Sequence, residues 1–347
     1  MKRFALFGGC FATMAQRSRG YSYRDVRDLI RWSLEDCPGF GTGIEIEGKL
    51  NRIAEGIWHE NYWFWIRGRG LSTDQADQAY VLRILEQSED WQKGPEPRER
   101  LIREGKTLQI LTRNRFAHPT PAFICFVQDS ESETIGMIET GLPGYSLGRH
   151  KDRSTLQLVG RVAADIHRLE IQRFPHLPSN NSRTEHVKSQ LAELDEALSA
   201  KFPLANEVCQ WIAAQIPADD RTCLLHGDLL PQNLLCDWTA SGQHDAQVGV
   251  VDWEMARVGD PAYDLAIVSR GDRKVLGVKD GAKVLVQDYL DSGGQPVSLT
   301  DVRVHELLLL MHWLEEAWRE YQKPVTRGQG PDYYEAKLQS LFRRTVS

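Results

Sequence analysis

Residues 226–235, HGDLLPQNLL, constrain the fold of this chain more than any other stretch. They set Asp228 and Asn233 five positions apart on a polar loop between two apolar runs, so both side chains can turn toward one point. The stretch VVDWE follows, and its Asp252 ends the next apolar run 24 residues after Asp228, as the return strand of a hairpin requires. The pattern therefore predicts that three oxygen-bearing side chains converge on one site.

Two carboxylates and an amide at one site suit phosphoryl transfer. That reaction needs hard oxygen ligands for a divalent metal, a carboxylate that takes the proton of an acceptor hydroxyl, and a cation that neutralises the donor phosphates. Asp228 can face the acceptor while Asn233 and Asp252 reach the metal. The spacing H-x-D-x-x-x-x-N is weakly specific alone, and the strand-ending aspartate makes the combination much rarer.

Hydrophobic periodicity divides the chain into a strand-rich part and a helix-rich part. Strands are predicted at residues 44–54, 60–67, 78–85, 122–127, 134–138, 234–237 and 248–252. Helices are predicted at residues 21–36, 97–112, 155–169, 185–201, 206–216, 305–322 and 332–343. With GLPG at 141–144 as the hinge, we predict an extension over 1–43, a small β-rich lobe over 44–140 and a larger, mostly helical lobe over 141–347. This is an α+β fold with a ligand cleft between its lobes.

Charge and composition limit the partners of this chain. A net charge of −6 argues against a nucleic-acid partner, which usually requires a basic surface. No apolar run approaches the roughly 18 residues that cross a bilayer, so we expect no membrane partner. The first 16 residues resemble a secretion signal only faintly, and we expect a disordered tail or a start at Met14 instead. With six scattered cysteines and no C-x-x-C spacing, a cytoplasmic protein with reduced thiols is predicted.

The motifs together resemble the aminoglycoside phosphotransferase and choline kinase superfamily, whose members are protein-kinase-like enzymes that act on small molecules. HGDLLPQN matches H-G-D-x-x-x-x-N, VDWE matches I-D-[WF]-E, and residues 259–266 match G-D-P-x-x-D-L-A. The resemblance covers residues 44–321. It implies a bilobal protein-kinase-like fold, ATP and Mg²⁺ as cofactors, and a small-molecule acceptor such as an amino alcohol, a sugar or an aminoglycoside-like compound.

The resemblance also assigns roles around the HGD loop. Asp228 is expected to be the catalytic base, and Asn233 and Asp252 are expected to be the magnesium ligands. His226 is expected to hold the loop through hydrogen bonds. Asp264, with the aspartate at 260, is expected to brace the loop and cap the following helix.

In the strand-rich lobe, the resemblance predicts residues that bind the nucleotide. Arg83 stands where protein kinases carry the phosphate-contacting lysine, and a guanidinium can grip phosphate or carboxylate with two parallel hydrogen bonds. Its expected partner is Glu104, with Glu99 as the alternative. Gly56, in a turn with a single glycine, is expected to bring backbone N–H groups to phosphate, unless that turn is a plain hairpin.

The donor base is expected to contact backbone groups of Glu139 and Gly141 at the hinge, a placement that comes from the resemblance alone. The late helix pairs Glu315 with Trp318, which suits a cationic amine, although an amphipathic helix with tryptophan packed inward explains the same pattern.

Two other functions fit parts of the sequence. A nucleotide-binding regulatory protein of the same fold, impaired in catalysis, is compatible with the incomplete glycine turn and with Arg83. A protein kinase is disfavoured, because Asp260 follows Asp252 by only eight positions, too few for a segment that holds a peptide. Glu254 also replaces the glycine of the protein-kinase D-F-G motif.

Overall fold

The structure, a computed structural model, describes residues 23–53, 59–85, 96–128, 133–216, 221–236, 247–321 and 329–347. A strand-rich N-terminal part precedes a mostly helical C-terminal part, which is the α+β arrangement that the sequence predicts. A search of these residues for a helix of the length and apolar character needed to cross a membrane finds none.

Most of the described residues belong to regular secondary structure. The helices are α1 (Tyr23–Glu35), α2 (Thr73–Asp77), α3 (Glu96–Arg113), α4 (Arg153–His167), α5 (Arg183–Leu198), α6 (Pro203–Ala214), α7 (Ala262–Ser269), α8 (Gly281–Asp291), α9 (Leu299–Tyr321) and α10 (Pro331–Val346). The strands are β1 (Thr42–Ile53), β2 (His59–Arg69), β3 (Tyr80–Leu85), β4 (Phe123–Gln128), β5 (Thr134–Thr140), β6 (Tyr145–Ser146), β7 (Cys223–Leu225), β8 (Leu234–Cys236), β9 (Val248–Val250), β10 (Arg257–Gly259), β11 (Lys274–Val275) and β12 (Val278–Lys279).

The N-terminal part is built on a five-stranded antiparallel sheet in the order β1-β2-β3-β5-β4. Helix α1 repeats its apolar residues at helical spacing, and Val26, Ile30 and Leu34 are fully buried in the same core as the sheet. Strand β3 is the middle strand, and Arg83 lies on it, opposite Met137 of β5. A charged side chain thus starts from the centre of an apolar sheet.

The C-terminal part packs its helices around α9, which contacts α5, α7 and α10. Two small sheets lie beside these helices. In one, β7 pairs with β10, and in the other β8 lies between β6 and β9. These short strands bring the loop after β7 close to the segment after β9, so they position the predicted site.

The predicted helices and strands are present, with ends that differ by a few residues. Helix α7 has no bounds predicted from the sequence, because all eight of its residues are buried and it shows no polar face. Helix α8 is also absent from the predicted elements, although Ala282, Leu285, Val286 and Tyr289 are buried at helical spacing. The hairpin predicted at residues 238–245 lies outside the described residues. The lobe boundary after residue 140 falls at the end of β5 and stays a prediction.

Candidate functional site

The loop that carries Asp228 leaves β7 through a tight turn at Gly227. This glycine has φ +83°, and a Cβ on it would lie 2.0 Å from the carbonyl oxygen of Met255. A side chain is therefore excluded both by the backbone conformation and by the close approach of the segment after β9. The glycine lets two segments meet at the site.

The carboxylate of Asp264, on α7, binds the backbone of this loop. Its Oδ2 accepts a hydrogen bond from the N–H of His226 at 2.8 Å, and its Oδ1 accepts one from the N–H of Gly227 at 2.9 Å. Burial opposes its charged form, but the hydrogen bond from His167 and the charges of two histidines lower the pKa of Asp264 overall. The predicted bracing of the loop by Asp264 is confirmed. Asp260 pairs with Arg183, and its Oδ1 accepts from the N–H of Ala262, the first residue of α7, at 2.9 Å, as expected of a group that caps that helix.

His226 also holds the loop, as the sequence predicts. Its Nε2 lies 3.0 Å from the carbonyl oxygen of Val251, and its Nδ1 accepts from the N–H of Asp228 at 3.3 Å. The ring is buried and packs on Trp253 with centroids 4.7 Å apart. These contacts assign the proton to Nε2. His226 therefore joins the segment that carries Asp228 to the segment that carries Asp252.

Asp228 and Asn233 contact each other directly. The amide Nδ2 of Asn233 donates to the Asp228 carboxylate Oδ2 at 3.0 Å and to the Asp228 carbonyl at 2.9 Å. Both contacts use the amide nitrogen, so Oδ1 is the Asn233 atom that can serve a metal. The carbonyl of Asn233 also accepts from the N–H of Val251 at 3.0 Å, which places Asp252 one residue away.

Burial and the neighbouring charge of Asp252 raise the pKa of Asp228, while His226, Arg270 and the Asn233 amide act in the opposite direction. Asp252 itself has φ +69°, a left-handed conformation that few residues other than glycine adopt. The structure thus brings Asp228, Asn233 and Asp252 together, as the spacing predicts.

Arg83 reaches the same site from β3. Its Nη1 donates to Glu104 Oε1 at 2.6 Å, and its Nη2 contacts Asp252 Oδ1 at 2.8 Å and Glu254 Oε2 at 3.2 Å. The expected partner, Glu104, is therefore the observed one. Burial disfavours a charged guanidinium, but these carboxylates and that of Glu139 raise the pKa of Arg83. Glu104 also accepts from the N–H of Trp253 at 3.0 Å, which ties α3 to the segment after β9.

Glu254 is the contact residue that sequence reasoning missed. The sequence analysis treated it only as a replacement for glycine, whereas its carboxylate contacts Arg83 and lies 3.3 Å from His59 Nδ1. His59 begins β2, directly after residues 54–58. The signal was available in the sequence, because Glu254 stands two residues after Asp252 in an otherwise apolar stretch.

The donor set at this site fits a divalent cation. The carboxylates of Glu104, Asp252 and Glu254 place oxygens within 4.8 Å of one another. Arg83 already lies among them, and a second cation there would be repelled. Asp252, one-third exposed, and Asn233 Oδ1 are better placed, because they supply the hard oxygen ligands that Mg²⁺ prefers.

The other predicted nucleotide contacts are Gly56, Glu139 and Gly141. Gly56 lies outside the described residues. The N–H of Gly141 donates to the Ala79 carbonyl at 2.7 Å, and its own carbonyl accepts from Gln78 Nε2 at 2.9 Å. Both backbone groups of Gly141 are thus engaged within the chain. The side chain of Glu139 is buried, and burial raises its pKa to about 7.

The proposed acid and indole pair of the late helix is engaged elsewhere. Glu315 forms an ion pair with Arg319 at 3.3 Å, and Trp318 packs edge-on against Phe202 with ring centroids 5.5 Å apart. Trp318 thus belongs to the packing between α6 and α9, which agrees with the amphipathic-helix interpretation.

Comparison with known proteins identifies a family and similar folds. A family model described as a phosphotransferase enzyme family matches residues 49–334. Acyl-CoA dehydrogenase family member 11 of Gallus gallus is 29% identical over 126 residues, which are 34% of this chain and 15% of that protein. The chain spans less than a third of the length of the curated relatives it matches.

Two solved structures illustrate the similarity of fold. The GDP complex of wild-type aminoglycoside 2'-phosphotransferase-IIIa superposes with a TM-score of 0.65 at 17% identity, over 94% of this chain and 99% of that chain. A choline/ethanolamine kinase family protein from Mesorhizobium loti gives a TM-score of 0.56 at 17% identity, over 92% and 93% of the two chains. The predicted bilobal protein-kinase-like fold is confirmed by these matches.

Proposed function

This chain belongs to the phosphotransferase enzyme family, and from that premise we propose that it transfers the γ-phosphate of ATP to a hydroxyl group of a small molecule. The observation that carries the proposal is the meeting of Asp228, Asn233 and Asp252. The Asn233 amide donates to the Asp228 carboxylate at 3.0 Å, and burial, together with the charge of Asp252, raises the pKa of Asp228. These are the oxygen groups that positioning and electrostatic catalysis of phosphoryl transfer require.

In this proposal Asp228 accepts the proton of the acceptor hydroxyl. Its hydrogen bond to Asn233 fixes the orientation of the carboxylate, and the loop contacts of His226 and Asp264 fix its backbone. The raised pKa favours a carboxylate that can take up a proton. Asp228 thus acts as a positioned base.

Asn233 and Asp252 would hold Mg²⁺, and Arg83 would face the donor phosphates from the sheet. Bound Mg²⁺ supplies charge neutralisation for the phosphate oxygens. Arg83 supplies a permanent positive charge, held in place by Glu104 at 2.6 Å and by Glu254 at 3.2 Å. Its Nε is buried and has no hydrogen-bond partner among the described residues.

Gly56, Glu139 and Gly141 remain proposed nucleotide contacts. For Gly141, a backbone hydrogen bond to the base requires that Gln78 gives up its contact with the Gly141 carbonyl. We place the reaction in the cytoplasm, where ATP is supplied. Amino alcohols, sugars and aminoglycoside-like compounds are the acceptor classes that the family resemblance suggests.

The experiment that tests this function combines turnover with nucleotide binding. Phosphate transfer from ATP or GTP to a panel of small alcohols is measured with Mg²⁺ and with EDTA, because one similar enzyme is described in complex with GDP. Asp228→Asn is expected to lower turnover at least about 100-fold while MgATP still raises the melting temperature. Asp272→Asn, at an exposed ion pair with Lys337, is the control.

Each contrary result has a distinct meaning. Comparable transfer by Asp228→Asn rejects Asp228 as the base. Absence of any stabilisation by nucleotide, with or without Mg²⁺, rejects the proposed function altogether. Nucleotide binding without transfer to any acceptor or to water favours the alternative, a nucleotide-binding protein that is impaired in catalysis.

A further inference from the structure

Two arginines near Asp228 have no acidic partner within the part of the chain that the structure describes. Among the described residues, neither Arg257 of β10 nor Arg270, which follows α7, forms an ion pair. The guanidinium of Arg257 lies 5.8 Å from the ring centroid of Tyr263, and that of Arg270 lies 5.7 Å from the ring centroid of Trp313. The Arg270 Nε is buried without a hydrogen-bond partner in this part of the chain. Half-buried cations are usually paired, so the missing anion is a ligand candidate.

Arg257 is fixed beside the HGD loop by strand pairing. It lies opposite Leu225 in the antiparallel pair of β10 and β7, and Leu225 directly precedes the loop. Two residues earlier, the carbonyl of Met255 packs against Gly227. Arg257 therefore lies on the same short sheet as Leu225. Asp228 follows Leu225 by three residues, so this sheet positions both side chains.

Arg270 is held by the helix that braces the same loop. Its N–H closes the end of α7 on the Ala266 carbonyl at 2.8 Å, and the next N–H, of Gly271, binds Glu306 Oε1 at 3.2 Å. Its φ of +48° is the left-handed conformation in which many helices end, so the end of α7 fixes the backbone from which the Arg270 side chain extends.

The Arg257 side chain reaches the HGD loop, because its Nε donates to the Met255 carbonyl at 3.5 Å and that carbonyl lies against Gly227. Electrostatic effects agree with a position of both arginines near Asp228. The positive charge of Arg270 opposes the rise that burial gives to the pKa of Asp228. Burial also raises the pKa of Tyr263. The charge of Arg257 lowers this pKa, whereas the charge of Asp228 raises it. The proposed base thus has two cations near it, whereas Glu315, the acid expected to attract an amine, is paired with Arg319.

We propose that Arg257 and Arg270 bind an anionic group of the acceptor, so that the substrate is an alcohol bearing a carboxylate or a phosphate rather than an amine. A guanidinium binds either oxyanion through paired hydrogen bonds, and the aromatic rings beneath the two arginines limit their movement. The inference rests on the proposed function, because it names the acceptor of the same site.

A matched set of three-carbon alcohols tests the charge preference. Glycerate carries a carboxylate, glycerol 3-phosphate a phosphate, glycerol no charge, and 3-amino-1,2-propanediol an ammonium group. Transfer from MgATP to glycerate or glycerol 3-phosphate is expected to have a kcat/KM at least about tenfold above that for glycerol and for the amine. A preference between glycerate and glycerol 3-phosphate also shows whether the site binds a carboxylate or a phosphate.

Variants connect that preference to the two arginines. Arg257→Gln and Arg270→Gln are each expected to raise the KM for the preferred acid about 10- to 100-fold, while MgATP still raises the melting temperature. Arg270→Lys retains the charge and is expected to recover part of the loss. Arg67→Gln, which removes an exposed pair with Glu45, is the matched control and is expected to leave the KM unchanged.

The outcomes separate this inference from the proposed function. Equal or better transfer to glycerol or to the amine overturns the inference, as does an unchanged KM in both glutamine variants. If none of the four alcohols is phosphorylated, the melting temperature with MgATP and glycerate or glycerol 3-phosphate decides. A dose-dependent rise that both glutamine variants lose supports the anion site, and no rise contradicts it. Failure of the proposed function is recognised separately, by the loss of nucleotide-induced stabilisation in the unaltered chain.

Discussion

Arg83 Nη2 lies 2.8 Å from Asp252 Oδ1, which joins the middle strand of the N-terminal sheet to the segment after β9. The same guanidinium holds Glu104 and Glu254, and both carboxylates are buried. One cation therefore connects the sheet, α3 and the proposed metal ligand. The position of Asp252 relative to the sheet depends on this arginine.

Replacing Arg83 is expected to be severely destabilising. Arg83→Gln leaves Glu104 and Glu254 buried without a countercharge, and breaking such a buried pair costs about 3–5 kcal/mol. Urea unfolding at neutral pH measures the loss. The exposed pair of Arg67 with Glu45 provides the control, because Arg67→Gln is expected to cost no more than about 1 kcal/mol. Similar losses in the two variants would show that the buried cluster does not stabilise the fold.

Asp264→Asn is expected to lower kcat without abolishing nucleotide binding. The carboxylate accepts two backbone N–H groups, from His226 and Gly227, whereas an asparagine side chain can accept with only one of its two polar atoms. One N–H then loses its partner and the Asp228 loop shifts, which can cost about 100-fold in rate. Steady-state kinetics with the preferred acceptor, beside melting curves with and without MgATP, measures both effects. An unchanged kcat would mean that the loop is held sufficiently by His226.

The sequence predicted the convergence of Asp228, Asn233 and Asp252 because their spacing is local. A loop of five positions and a hairpin return bring side chains together whatever the rest of the chain does. The Arg83–Glu104 contact was also expected, since an isolated charge in the apolar strand YVLRIL needs a partner and α3 follows soon after.

Contacts between distant segments were harder to foresee. Glu254 meets His59 and Arg83 only because β2, β3 and the segment after β9 approach in three dimensions. The engagement of Gly141 by Gln78 likewise depends on how the chain turns after β5. Hydrophobic periodicity reports which face of an element is buried, and it carries no information on which polar groups meet across elements.

The contribution of His186 to the stability of the fold is expected to fall as the pH falls from 8 to 5, whereas the raised pKa of Glu139 acts in the opposite direction over the same range. Burial, together with the nearby His305, lowers the pKa of His186 to about 3, and its Nδ1 accepts from the N–H of Asp260 at 2.9 Å. Below about pH 6.5 the unfolded chain binds a proton on this residue that the folded chain does not take up until about pH 3. Its stabilising contribution is thus complete above pH 6.5 and is lost progressively below it.

At pH 5 the loss from His186 alone is about 2 kcal/mol relative to pH 8. Urea unfolding at the two pH values measures it in the unaltered chain and in His186→Asn, whose amide oxygen can still accept from the Asp260 N–H. The variant is expected to be less stable at pH 8 and to lose less stability on acidification. Equal losses in the two proteins would assign the pH dependence to other groups.

Gly227→Ala separates a steric requirement at the site from ordinary backbone strain. Gly227 and Gly48 both have positive φ, +83° and +70°, but a Cβ on Gly227 would lie 2.0 Å from the Met255 carbonyl oxygen, whereas one on Gly48 meets nothing within 4 Å. Gly48→Ala is therefore expected to cost about 1–2 kcal/mol, the price of the left-handed conformation alone, with activity retained.

Gly227→Ala carries the same conformational cost and must also move the segment after β9 or the Asp228 loop. It is expected to destabilise the fold by clearly more than Gly48→Ala and to lower kcat by at least about 100-fold, since the base no longer lies where the metal ligands are. Urea unfolding and steady-state kinetics of the two alanine variants, measured side by side, make the comparison. If both variants lose the same stability and both remain active, the approach of Met255 to Gly227 is not what positions Asp228.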